Sequence, residues 1–130
     1  MITLTMVCGA CSEIPARSSI TSAGLFFDLE GTQPTNKFEA EDIFYCIITL
    51  KEPIPDTVLQ ISWVATDTDR AVSNFVIKIE EIVPTSSTVV FELQNEGNFW
   101  PTGQYKLYLY LDGKEMQVID FDVYHDYFSE

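Results

Sequence analysis

The run Gln104-Tyr-Lys-Leu-Tyr-Leu-Tyr-Leu111, followed by Asp112-Gly113 and then by Met116 to Tyr124, leaves little freedom of local structure. Tyr105, Leu107, Leu109 and Leu111 share one side of it, and Lys106, Tyr108 and Tyr110 share the other. A period of two belongs to a strand with one buried face. Asp-Gly between two such runs is a tight-turn pair, because both residues tolerate the positive φ that a two-residue hairpin loop demands. In the return run, Ile119, Phe121 and Val123 alternate with Val118, Asp120 and Asp122. The chain therefore contains a half-buried hairpin, and a hairpin needs further strands to cover its apolar side.

Those strands can be read upstream. Ile20 to Leu29 carries Leu25, Phe26 and Phe27 and ends at Glu30-Gly31. Asp42 to Leu50 is rich in aromatic and β-branched residues, which suit a buried strand. Thr57 to Thr66 alternates, with Leu59, Ile61, Trp63 and Ala65 expected to face the core. Ser73 to Glu80 alternates again and is expected to keep Phe75, Ile77 and Ile79 together; Thr88 to Leu93 does the same with Val89, Phe91 and Leu93. Thr32 to Lys37, Pro53 to Pro55, Asp67 to Asp69, Pro84 to Ser87 and Asn95 to Gly103 read as connections. No segment shows a sustained helical period. About seven short strands at regular spacing predict an all-β sandwich or small barrel.

A chain of 130 residues with 46% hydrophobic content can bury one core. Residues 1–18 read as an N-terminal segment or signal remnant with a linker, and 19–130 as one domain. Seven basic against twenty acidic residues give a net charge of -13, which argues against nucleic acid as a ligand. No run is long enough for a transmembrane helix. The cysteines are Cys8, Cys11 and Cys46. A lone CxxC without a second pair or histidines is a poor zinc site, and no metal or cofactor is expected. Gly9-Ala10 before Cys11 fits the end of a lipoprotein signal, which makes Cys11 a candidate for lipidation and a lipid anchor. Cys8 and the lack of basic residues ahead of it do not fit.

Three positions narrow the architecture. Cys46 falls in the second long strand, Trp63 in the third, and Tyr105 opens the sixth, just after Trp100-Pro-Thr-Gly103. An immunoglobulin-like sandwich places a buried cysteine, a core tryptophan and a tyrosine corner in that order. Leu107 then stands where antibody domains carry the second cysteine, so the inter-sheet disulfide is absent. From residue 19 to 124 the chain resembles bacterial immunoglobulin-like domains of secreted and lipid-anchored proteins. The resemblance is carried by Trp100 to Gly113 and Phe121-Asp-Val123, and more weakly by Gly31 to Thr35, Phe38 and Trp63. It implies an immunoglobulin-like β-sandwich and an extracellular or envelope-attached setting, with the cytoplasm left open, and it implies no activity.

Catalytic signatures are scarce. His125, the one histidine, precedes Asp126, but no serine or cysteine nucleophile is partnered with the pair. Acidic pairs such as Glu80 and Glu81 read as solvated faces. Asp67 and Asp69, with Glu39, Glu41 and Asp42, offer calcium some oxygen ligands but not a recognisable loop. Aromatic residues are the surplus to explain. Tyr108 and Tyr110 should face outward, joined by Asp120 and Asp122 if the last two strands pair, with Tyr124 close by. This aromatic and acidic patch is the expected contact surface for a protein partner. The expected function is a non-catalytic interaction module, adaptor or accessory assembly subunit; the alternative is a carbohydrate- or calcium-dependent ligand-binding domain. A homo-oligomer through edge strands is also open.

Overall fold

A computed structural model describes residues 19–52 and 56–125. The expectations for Cys8, Cys11, Asp126 and the N-terminal segment lie outside those residues. The described chain is all-β, with eight strands in two sheets. They are β1 Ile20–Phe26, β2 Lys37–Glu39, β3 Phe44–Leu50, β4 Leu59–Thr68, β5 Phe75–Ile82, β6 Thr88–Leu93, β7 Gly103–Leu111 and β8 Lys114–Tyr124. One sheet has the order β1-β3-β6 and the other β2-β8-β7-β4-β5. Neighbours are antiparallel except β2, which runs parallel to β8.

Alternation decides which side chains meet between the sheets. Cys46 and Ile48 of β3, Leu59, Ile61 and Trp63 of β4, Leu107 and Leu109 of β7 and Phe121 of β8 are buried there. An aromatic cluster forms around Phe44. Its ring stacks on Trp100 at 4.9 Å and meets Phe38 at 4.6 Å and Phe121 at 5.3 Å. Trp63 and Tyr105 complete the cluster. Both buried indoles keep a hydrogen bond. Trp100 Nε1 donates to the Asp42 carbonyl at 2.9 Å, and Trp63 Nε1 to the Glu80 carboxylate at 3.2 Å.

Two turns hold the β7–β8 unit in place. Asp112 and Gly113 both have positive φ, 49° and 82°, as a two-residue hairpin loop requires. The Asp112 carboxylate also accepts the Val58 N–H at 2.9 Å, tying the hairpin tip to the start of β4. At the other end, Gly103 has φ 142°, and a Cβ there would lie 2.2 Å from the Asp67 carbonyl oxygen, so only glycine fits. Two residues later the Tyr105 hydroxyl donates to the Pro101 carbonyl at 2.5 Å. Burial, with Asp69 nearby, raises the pKa of that hydroxyl. Cys46 is a free thiol in the core, and burial, with Glu80 adding to it, pushes its pKa up to about 12.

Three expectations are corrected. Lys37, expected to end a connection, opens the short strand Lys37–Glu39 instead. Asp67 and Thr68 belong to β4, because Asp67 pairs with Gln104 and Thr68 with Gly103 past a bulge. Phe75, Ile77 and Ile79 do not share a core face. The register between β4 and β5 slips after Trp63, so Trp63 faces Lys78 while Val64 faces Val76. The extra residue, Ile77, changes the parity of everything after it. Ile77 packs on the core, but Ile79 stands 57% exposed on the opposite side.

Candidate interaction surface

The outer face of the five-stranded sheet is assembled by register. Ser62 of β4 lies opposite Tyr108 of β7 on one side and Ile79 of β5 on the other. Tyr108 in turn lies opposite Val118 of β8. One row thus reads Ile79, Ser62, Tyr108, Val118. The next row is Val76, Val64, Lys106, Asp120, and the row on the other side is Glu81, Gln60, Tyr110, Glu115. At a strand spacing near 4.8 Å, each row spans roughly 14 Å.

The middle of this face is apolar. Tyr108 and Tyr110 are half-buried against their neighbours. Val76, Ile79 and Val118 are 48%, 57% and 36% exposed. Ser62 and Val64 are almost fully covered because β4 has a strand on either side. Glu81, Glu115, Asp120 and Asp122 lie around this centre, and all are exposed. The cations on the face are engaged. Lys106 Nζ lies 2.6 Å from Asp120 Oδ1, a hydrogen bond that raises the lysine pKa. Lys37, paired with Asp122 in the β2–β8 register, places its Nζ 5.4 Å from the Tyr124 ring centre.

All five residues singled out for binding, Tyr108, Tyr110, Asp120, Asp122 and Tyr124, therefore lie on this one face, with Tyr124 at its β2 end. Val76 and Ile79 complete the apolar centre and were missed. Their signal is hidden, since the bulge at Ile77 cannot be seen in the alternation of β5.

Other candidate groups are occupied differently. His125 meets Phe99 edge to face at 5.2 Å. Asp69 accepts the Thr102 N–H at 3.1 Å, and Asp42 accepts the Glu39 N–H at 2.7 Å, so both carboxylates serve local turns. Among the described residues, no three His, Cys, Asp or Glu side chains are grouped to hold a metal ion. A further concavity lies away from Tyr108 and Tyr110. It is a groove of about 520 Å³ between the middle of β5 and the end of β6, lined by Ile77, Lys78, Glu92, Leu93, Gln94 and Trp100, among others.

No protein-family model matches the chain, and no curated protein matches it. Solved structures do. An alkylpurine DNA glycosylase, AlkC, of Pseudomonas fluorescens, bound to DNA containing an abasic site analog, aligns over 88% of this chain at 11% identity and TM-score 0.54. A mutant β-glucosidase of Listeria innocua in complex with laminaribiose aligns over 85% at 13% identity and TM-score 0.51. The chain spans 32% of the first protein's length and 16% of the second's. At such identities the likeness concerns the fold and not the chemistry. The two-sheet, all-β fold of this chain is thus similar to part of each of these two larger proteins.

Proposed function

We propose that this chain is an immunoglobulin-like sandwich acting as a non-catalytic protein–protein interaction module, an adaptor or accessory subunit. Its contact surface is the outer face of β4, β5, β7 and β8. The observation that carries this reading is the row Ile79, Ser62, Tyr108, Val118, in which the exposed Ile79 and Val118 flank a covered serine and a half-buried tyrosine, with carboxylates around it. Aromatic residues in an apolar centre, ringed by polar groups, are the usual anatomy of a recognition surface. The acidic surround favours a partner whose own contact face is apolar at the centre and basic at the rim.

The immunoglobulin-like assignment is supported by the split of strands between the sheets, by Trp63 in the core and by the Tyr105 hydroxyl bound to a carbonyl four residues upstream. An accessory role is consistent with the small share of each larger enzyme that this fold resembles. An exported or envelope-attached setting comes with the family resemblance alone.

Site-specific photocrosslinking tests the surface. A benzophenone side chain is placed at Tyr110 in one protein and at Ser22, exposed on β1 in the other sheet, in a second. Expressed in the source cell, the Tyr110 probe should give a discrete crosslinked product that the Ser22 probe does not. Products of equal yield from both positions would sink the assignment of the face.

A further inference from the structure

The two sheets end in four outer strands, and they differ in how they resist pairing with another chain. β1 slips in register between Ile20 and Ser22, and its Leu25–Phe26 end is closed by the chain's own return. Phe26 bridges to Pro34, and the N–H groups of Phe27 and Thr35 donate to Gln33 and Leu25 at 3.0 and 2.9 Å. β2 is three residues long. β5 is bulged at Ile77 and carries Lys78, two devices that discourage edge pairing. β6 has none of these protections. Thr88–Leu93 keeps an unbroken register with β3, alternates cleanly between exposed and buried, and contains no proline, lysine or bulge.

The ladder also shows which backbone groups are open. Leu50 N–H donates to Ser87 O at 2.7 Å, which fixes the phase of the antiparallel bonds. Val89, Phe91 and Leu93 then exchange bonds with β3, while Thr88, Val90 and Glu92 direct their N–H and C=O away from it. The Thr88 carbonyl is taken by the Ser86 hydroxyl at 3.0 Å. Among the described residues, Val90 and Glu92 are left presenting the open edge, and the groove of about 520 Å³ begins beside Glu92.

We infer that the open edge of β6 accepts an added strand: an extended segment of a partner protein, alternating apolar residues with a lysine or arginine set against Glu92. On the side facing the other sheet, its apolar residues would extend the layer of Phe91, Leu93 and Ile77. On the outer side it would meet Val90, which is 40% exposed, and the Glu92 carboxylate. Charge selects the occupant. The groove carries Glu92 and Glu96, and its one cation, Lys78, lies 3.9 Å from Glu80. A net charge of -13 opposes a second copy of this chain in the same place. This edge belongs to the other sheet from the Tyr108 face and does not depend on that face being a contact surface.

The test is selection of phage-displayed random octapeptides on the purified chain. The most enriched peptide is then synthesised and added to ¹⁵N-labelled protein. The expected result is an enriched class of alternating apolar sequences with a cation, and slowed amide exchange at Val90 and Glu92. Val90→Pro should weaken binding by about tenfold, through the lost N–H bond and the ring on the edge. The fold should survive that change, because the Val90 N–H bonds nothing in β3. No enriched class, protection confined to another strand, or equal binding by a folded Val90→Pro would each overturn the proposal. If Val90→Pro does not fold, Glu92→Lys decides: loss of the cationic peptide supports the assignment, and unchanged affinity overturns it.

Discussion

The two faces of the five-stranded sheet are made from the same strands, yet they are different chemical objects. On the inner face Trp63, Tyr105, Leu107 and Phe121 are sealed against the other sheet, and each polar atom has one set partner. On the outer face Tyr108, Tyr110 and Val118, one residue out of phase with these, keep part of their surface in water. Tyr105 and Tyr108 sit three residues apart in β7. One closes a corner; the other is left able to meet a partner. Parity in a strand thus separates the residues that hold the fold from those free to act.

That contrast can be broken from the inside first. Phe44→Ala, at the centre of the aromatic cluster, should cost about 3–5 kcal/mol in urea unfolding, the range for emptying an aromatic core site. Gly103→Ala should cost roughly 1–3 kcal/mol from backbone strain alone, with its Cβ pressed on the Asp67 carbonyl. Thermal unfolding would read it, and an unchanged midpoint would mean the turn relaxes freely.

Alkaline pH probes the same interior. The Cys46 pKa is raised from 9.0 to about 12 in the fold, so the unfolded thiol ionises first. The folded state keeps its full stability below about pH 9 and loses it as pH rises toward 12, by about 1.4 kcal/mol per unit for this one proton. Urea titrations between these limits should lose that slope in Cys46→Val. Tyr105→Phe comes next, at about 1 kcal/mol for its bond to Pro101. Smallest is Tyr110→Ala on the outer face, expected to change stability by less than about 1 kcal/mol, as for one cross-strand neighbour. A loss as large as that of Phe44→Ala would assign Tyr110 to the core and erase the contrast.

The hairpin and its corner were readable from sequence because their signals are local. Asp112-Gly113 allows one turn, and the alternation in β7 sorts Tyr105 from Tyr108 without knowledge of the rest. Tyr108, Tyr110, Asp120 and Asp122 were placed outward by the alternation within each strand; that they share one face also needs the slip in pairing between Leu109 and Tyr110, which the two-residue loop does not announce. What escaped depends on distant chain. Lys37–Glu39 is a strand only because β8 lies beside it, and three residues are too few to show a period. Ile79 reached the outer face through a bulge created by pairing with β4. The open edge of β6 follows from sheet order, which no stretch of sequence states.

The most direct test of the outer face as a contact surface is the native size of the protein after gentle lysis of its source, for the natural chain and for Tyr110→Ala. The expected result is a natural chain sedimenting in a larger assembly and a folded Tyr110→Ala released from it, near the monomer mass of 14.8 kDa. A natural chain that runs alone at that mass, or a Tyr110→Ala chain that stays in the assembly, would contradict the assignment.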